Sequence, residues 1–286
     1  MTEKSGMGSS MNESDRGGAM KPVISCVCPT HGRAHIIGEA VESWRRQRPC
    51  GFPTELLIVN DCPEQPLTCD VPGVRIVNLD VPMTINAKFN LAVELAVGNY
   101  IAWWEDDDIS LPHRLARSVA QSRMETTYKQ RTAWLWAQDG LTPTGNMFFG
   151  TSFFSRRLFL DSGGAGDGGA PDVTAWRNMA GAGEVIDEAA AAQDMFLVYR
   201  WAGVPVIHDS GFYGADGMSS PSARLAEYRR RTLEHPEFRP GLQKIVPAWR
   251  NDYSAMANLA VARLAESDRG RKSYWAKPGT IIPGRH

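Results

Sequence analysis

Four consecutive carboxylates, Glu105-Asp106-Asp107-Asp108, follow directly on the apolar run Tyr100-Ile101-Ala102-Trp103-Trp104. Like charges at that density repel one another, and desolvating them beside a sheet is costly without a cation. Ser110 and Pro112 mark a helix start just downstream, but a helix cap needs only one hydroxyl or carboxylate. The surplus points to a divalent ion. Oxygen-only ligands favour Mg²⁺ or Mn²⁺ over Zn²⁺, and such an ion also bridges the phosphates of a nucleotide. Asp61 ends a second apolar run, Glu55-Leu56-Leu57-Ile58-Val59-Asn60. A third acid, Asp194, follows four consecutive alanines on a helix-like stretch, where a surface aspartate is the plain alternative to a general base.

The elements that must position these groups are readable for the first half of the chain. Val23-Ile24-Ser25-Cys26-Val27-Cys28 is a strand stopped by Pro29-Thr30-His31-Gly32. Residues 34–48 space Ile36, Ile37, Ala40, Val41 and Trp44 as a helix. Residues 55–59 and 74–79 are strands, 84–97 a helix with Phe89, Ala92, Val93 and Ala96 inward, and 100–104 a fourth strand. Strands alternating with helices imply a mainly parallel sheet covered by helices, an α/β class. Ligands of such sheets sit beyond the carboxyl ends of the strands, where Pro29-Thr30-His31, Asn60-Asp61 and the acid run all fall. Further on, the pattern predicts a helix over 110–128 and strands over 133–138 and 147–154. A mobile Gly/Ala-rich loop over 161–183, a helix over 187–202 and a strand over 204–208 follow, with helices and a tail after about residue 221.

Composition narrows the class. The 286 residues carry 31 basic against 32 acidic side chains, so no bulk charge draws the chain to nucleic acid or an anionic membrane. No apolar run reaches the ~20 residues of a membrane-spanning helix, and residues 1–21 are polar, Gly/Ser-rich and expected to be a disordered leader. A cytoplasmic location is the default expectation. The five cysteines form no metal-binding spacing, and Cys26 and Cys28 should face one side of a strand as reduced core thiols. Gly164, Gly166 and Gly169 satisfy GxGxxG outside any strand-turn-helix context, a chance match. The aromatics Trp134, Trp136, Phe148, Phe149, Phe153 and Phe154 read mostly as core.

Residues 22–214 together resemble the family 2 inverting glycosyltransferases of GT-A fold. The resemblance is carried by the opening Ile24-Ser25-Cys26-Val27-Cys28-Pro29-Thr30-His31-Gly32-Arg33, by Asp61, by Lys88 and Asn90, and by the run Glu105 to Asp108 with Ile109 and Pro112. Gly163-Gly164 and Gln193-Asp194 complete it. It implies a nucleotide-binding half over about 22–112, an acceptor half over about 113–215 and a C-terminal helical extension over 216–286. It further implies that Pro29, Thr30, Arg33, Asp61, Lys88 and Asp106 contact the nucleotide, with Asp61 on the base and Asp106 at the ribose. Asp107 and Asp108 would then hold the Mn²⁺ or Mg²⁺ of a DxD region, and Asp194 would be the general base.

The implied reaction moves a sugar from a nucleotide-sugar, UDP-linked or else GDP-linked, to an acceptor hydroxyl. That acceptor is open among a glycan, a lipid-linked sugar, a protein, a small molecule and a modified DNA base. Two departures stand out: Gln193 replaces the family's usual Glu, and neither His208 nor Asp216 clearly matches its late metal-ligand histidine. A weakly active sugar-nucleotide-binding homologue and a nucleotidyltransferase are the competing readings.

Overall fold

The computed structural model describes residues 23–122, 126–137, 140–145, 149–166, 171–200 and 221–268. The expected leader, the 204–208 strand, His208, Asp216, Phe148 and Gly169 lie outside the described residues. In chain order the strands and helices are β1 (Ile24–Thr30), α1 (Ile37–Arg45), β2 (Thr54–Asn60), β3 (Leu67–Thr68), β4 (Val74–Asn78), α2 (Ile85–Leu95), β5 (Tyr100–Trp103), β6 (Ile109–Ser110) and α3 (Arg114–Gln121). They continue with β7 (Thr126–Gln130), β8 (Thr132–Ala137), β9 (Gly140–Gly145), β10 (Phe153–Ser155), α4 (Arg156–Asp161), α5 (Pro171–Ala182), β11 (Glu184–Glu188), β12 (Leu197–Tyr199), α6 (Pro221–Glu234), β13 (Gln243–Lys244) and α7 (Tyr253–Asp268).

The main sheet has the order β11-β7-β10-β5-β1-β2-β4. β1 pairs in parallel with β2 and β5, and β2 with β4, while β10 runs antiparallel to both its neighbours. Alternation along β1 sorts its side chains as the sequence predicts. Cys26 and Cys28 join the core under α1 and α7, while Val27 joins the opposite core with Phe89, Ala92 and Val93 of α2. All five cysteines are free thiols. Thr84 caps α2 by accepting the Ala87 N–H at 3.3 Å. Because β1, β2 and β5 are parallel, Thr30, Asn60 and Trp103 finish at one edge, and the acid run leaves from that edge.

Four expectations in the second half fail, the first being the strand over 147–154, which among the described residues is a 3₁₀ turn at Phe149–Thr151 followed by the short β10. The helix over 110–128 is shortened to Arg114–Gln121; Ser110 lies in β6, and 126–130 is strand β7. Thr126, Thr127 and Tyr128 are β-branched or aromatic, and pairing with β10 and β11 buries them. The Gly/Ala-rich loop holds a helix, α5, opened by Pro171 and docked into the core by Ala175 and Met179. The helix over 187–202 is replaced by the end of β11, a 3₁₀ turn at 192–194 and strand β12. There Phe196, Leu197 and Val198 are buried against β6 and β8, so tertiary pairing overrides the helix propensity of the alanine run. Trp134, Phe149, Phe153 and Phe154 are core residues, as expected. No helix among the described residues is long and apolar enough to cross a membrane.

Candidate active site

At the carboxyl edge, Thr30 at the end of β1 donates its hydroxyl to Asp106 Oδ2 at 2.6 Å. Arg33, three residues on, places one guanidinium nitrogen 2.7 Å from Asp106 Oδ1 and 3.0 Å from Asp107 Oδ2. One cationic nitrogen thus bridges two neighbouring carboxylates. The turn that aims Arg33 requires Gly32, whose φ of +64° suits glycine and whose would-be Cβ would run into the Thr232 methyl of α6. Burial works against the Arg33 charge, but Asp106 and Asp107 outweigh it and hold the guanidinium firmly protonated.

Glu105, Asp107 and Asp108 each offer one oxygen, all within 4.8 Å of one another. Burial, and after it the charge of Asp108, pushes the Glu105 carboxyl well above the usual carboxylate range. Gly150 lies against this group, where a Cβ would stand 2.7 Å from Glu105 Oε2. The cluster therefore holds more negative charge than its surroundings favour, and its all-oxygen donor set suits Mg²⁺ or Mn²⁺. A second cluster, His35, His235 and Glu237, also groups three potential ligand atoms. Its two imidazoles stack at 4.8 Å and 16°, so their lone pairs run side by side instead of converging.

Asp61, 1% exposed, is shared among three donors. Oδ1 meets Lys88 Nζ at 2.5 Å and His31 Nδ1 at 2.8 Å, and Oδ2 accepts the Met83 N–H at 2.9 Å. Burial opposes its ionisation, but the His31 hydrogen bond and the Lys88 charge prevail and hold it below the usual range. Lys88 also donates to the Thr30 carbonyl at 3.1 Å, tying β1, β2 and α2 together. Tyr228 of α6 lies over this corner, its ring 5.2 Å from that of His31, and burial pushes its hydroxyl up to about 12.

The structure therefore gathers Pro29, Thr30, Arg33, Asp61, Lys88, Asp106, Asp107 and Asp108 along one edge. Asn90 acts beside this edge, where its amide grips both backbone groups of Ala165, at 2.8 and 2.9 Å, and fixes the Gly163-Gly164 turn. Asp194 is placed elsewhere. β12 pairs antiparallel with β6, Leu197 facing Ser110 and Val198 facing Ile109. Along that ladder Arg200 meets Asp108, and Asp194 lies six residues away, at the opposite end. Its carboxylate, 35% exposed, sits 2.9 Å from Arg117, which also binds Glu188.

Several buried residues of this region carry no signal in the sequence. Arg200 is fully buried, its backbone N–H donating to Asp108 Oδ1 at 2.9 Å and its Nε to the Asp107 carbonyl. Arg114, also buried, donates to Ser110 Oγ at 2.6 Å and lies 4.5 Å over the Trp104 ring. Burial lowers its guanidinium to about 10. A lone arginine in an amphipathic stretch looks like surface; only the pairing of β6 with β12 shows that these two point inward.

Comparison with known proteins accords with this geometry. Residues 25–129 match the family model "Glycosyl transferase family 2". A protein of Escherichia coli (strain K12) described as "Putative colanic acid biosynthesis glycosyl transferase WcaA" is 30% identical over a 152-residue alignment that covers 48% of this chain and 52% of that protein. The chain thus spans about half the length of the curated relative it matches. Among solved structures, S. aureus TarS 1–349 in complex with UDP-GlcNAc aligns over 85% of this chain and 71% of that one, at 12% identity and a TM-score of 0.49. A second crystal structure of S. aureus TarS 1–349 aligns over 74% of this chain and 72% of that one, at 15% identity and a TM-score of 0.47. The matched segment runs from β1 through the acid run into β7, and over those residues the chain is similar to glycosyl transferase family 2.

Proposed function

We propose that this chain is a divalent-metal-dependent, inverting glycosyltransferase that takes its sugar from a nucleotide donor, UDP-linked in preference to GDP-linked, and passes it to an acceptor hydroxyl. The observation that carries the reading is the convergence of Glu105, Asp107 and Asp108 oxygens within 4.8 Å at the carboxyl edge of the parallel sheet. These three would hold Mn²⁺ or Mg²⁺, which when bound offsets the charge of a leaving diphosphate. Asp106 and Thr30 face the ribose side. Arg33, which spans Asp106 and Asp107, would be the guanidinium available to a donor diphosphate if a cation held by Glu105, Asp107 and Asp108 took its place beside Asp107. Lys88 supplies a second positive charge at the same corner.

Base selection is assigned to Asp61. Its Oδ2 holds one donor, the Met83 N–H, and a carboxylate oxygen has a second lone pair for the imide N–H of uracil. Adenine offers no such imide. Asp61, Asp106 and Asp107 are each under a tenth exposed, so donor binding requires the covering segments, Tyr228 of α6 among them, to shift.

The general base is assigned to Asp194 on its family correspondence. It would take the acceptor proton as the hydroxyl attacks the anomeric carbon opposite the diphosphate. This assignment makes a structural demand: Asp194 must leave Arg117 and move toward the donor. One observation, the Arg117 pairing beside Gln193, favours a second reading, a donor-binding chain of low turnover. Calorimetry of UDP binding with and without Mn²⁺, followed by turnover of a panel of UDP- and GDP-sugars, separates the two. Metal-dependent UDP binding with turnover supports the transferase, binding alone supports the second reading, and neither overturns both.

A further inference from the structure

A chain of buried polar contacts runs from the last helix of the described fold to the acid run. Tyr253, at the start of α7, donates its hydroxyl to Glu39 Oε1 at 2.9 Å, and the Arg250 N–H reaches the same oxygen at 2.9 Å. Glu39 Oε2 lies 2.5 Å from Arg200 Nη1. Arg200 in turn holds the Asp107 carbonyl through Nε and the Asp108 carboxylate through its backbone N–H. Glu39 is 2% exposed, and Arg200 and Tyr253 not at all. A guanidinium and a carboxylate taken out of water are costly unless geometry and further hydrogen bonds compensate them. Here both Glu39 oxygens and two faces of Arg200 are used, and the far end of the compensation is the acid run. Fold stability alone would be served as well by apolar side chains of similar volume.

We propose that Tyr253, Glu39 and Arg200 are positioning residues for the acid run, so that the C-terminal helix sets the affinity of that run for a divalent cation. This rests on the reading of Glu105, Asp107 and Asp108 as the cation site. Arg200 fixes the backbone between Asp107 and Asp108, and with it the angle at which their side chains converge. Tyr253 orients Glu39, which keeps the Arg200 fork from rotating.

The test uses the full chain and Mn²⁺ alone as probe, by calorimetry and by the electron paramagnetic resonance spectrum of the bound ion. Tyr253→Phe removes only the hydroxyl and keeps the edge-on ring contacts with Trp136 and Trp249, 5.8 and 5.5 Å between centroids. We expect its Mn²⁺ affinity to fall roughly fivefold, the worth of one hydrogen bond, with a broadened spectrum and an apo melting temperature within a few degrees of the parent. Arg200→Lys keeps the charge and loses the fork, and should weaken Mn²⁺ further. Parental affinity and spectrum in both variants, where Asp107→Ala has lost the ion, would overturn the inference and leave the cation site standing. Absence of Mn²⁺ binding by the parent overturns both. Glu39→Gln is the severer variant; should it fail to fold, Tyr253→Phe still decides.

Discussion

Two groups of acids in this molecule are gathered around arginines, and they differ in what the arginines leave undone. In the acid run, Asp106, Asp107 and Asp108 are buried and Glu105 half-buried beside Arg33, Arg114 and Arg200, yet the Glu105 carboxyl is still pushed well above the usual carboxylate range. In the second half of the chain, Glu188 and Asp194 share Arg117 at a partly exposed surface. Burial opposes the ionisation of Glu188, but Arg117 and Tyr128 hold its carboxyl below the usual range. The first group is short of positive charge; the second is satisfied. A cation has something to gain in one place and little in the other.

The largest effect that could break this contrast belongs to Asp194. If it is the base, Asp194→Asn lowers turnover by ~10²–10⁴-fold at saturating donor and leaves donor affinity unchanged, since the loss is confined to the transition state. Steady-state kinetics on the active donor check this. Intact turnover would make Asp194 a structural partner of Arg117 and turn attention to Glu184, Asp187 and Glu188 of β11.

Next comes Asp107→Ala. Its removal should weaken metal-dependent UDP binding by more than the ~10–100-fold typical of losing an outer-shell partner, as read by calorimetry with Mn²⁺. Unchanged affinity would show that the acid run answers to its arginines alone.

These two outcomes also measure how far the sequence could be read. From β1 to β5 the elements other than the two-residue β3, which pairs with the distant β13, lie within a few residues of where apolar spacing puts them, because each strand and helix there is a local pattern. In β7 and β12 the pattern misleads. Thr126 to Gln130 become a strand only because β10 and β11, distant in sequence, flank them. The Ala189 to Ala192 run reads as helix until Phe196 to Val198 find β6 and β8. The acid run, Thr30 and Asp61 were visible as residues ending strands. Arg200 and Glu39 were not, since 161 positions separate them.

A smaller effect concerns Asp61. Asp61→Asn should reduce the preference for UDP over ADP by roughly tenfold, the loss of one charge-assisted hydrogen bond, in paired titrations. Equal binding by the parent would remove the base-reading role. The same residue shapes acid stability. Its folded value is depressed below the ~3.9 of an unfolded aspartate, so its contribution is present above that pH and is lost as pH falls through the folded value. Urea melts at pH 6 and pH 3 should show a shallower decline in Asp61→Asn.

The smallest effect lies in the satisfied group. Tyr128→Phe removes the hydroxyl that meets Glu188 at 2.5 Å and should cost about 1–2 kcal/mol of stability in denaturant melts, with UDP binding unaltered. A change in UDP affinity there would mean that the two acid groups communicate.

The contact between Tyr253 and Glu39 also orders events in time. Glu39 and the acid run belong to the first 108 residues of the chain, and their clamp is made 145 positions later, at Tyr253. At ~5–20 residues per second, synthesis leaves an interval on the order of 10 s between the two. Throughout it, the nascent first half of the chain holds Glu39 and its crowded carboxylates without their final partner. A ribosome stalled before residue 253 should therefore display a domain that is already folded around its sheet but not yet tuned for metal.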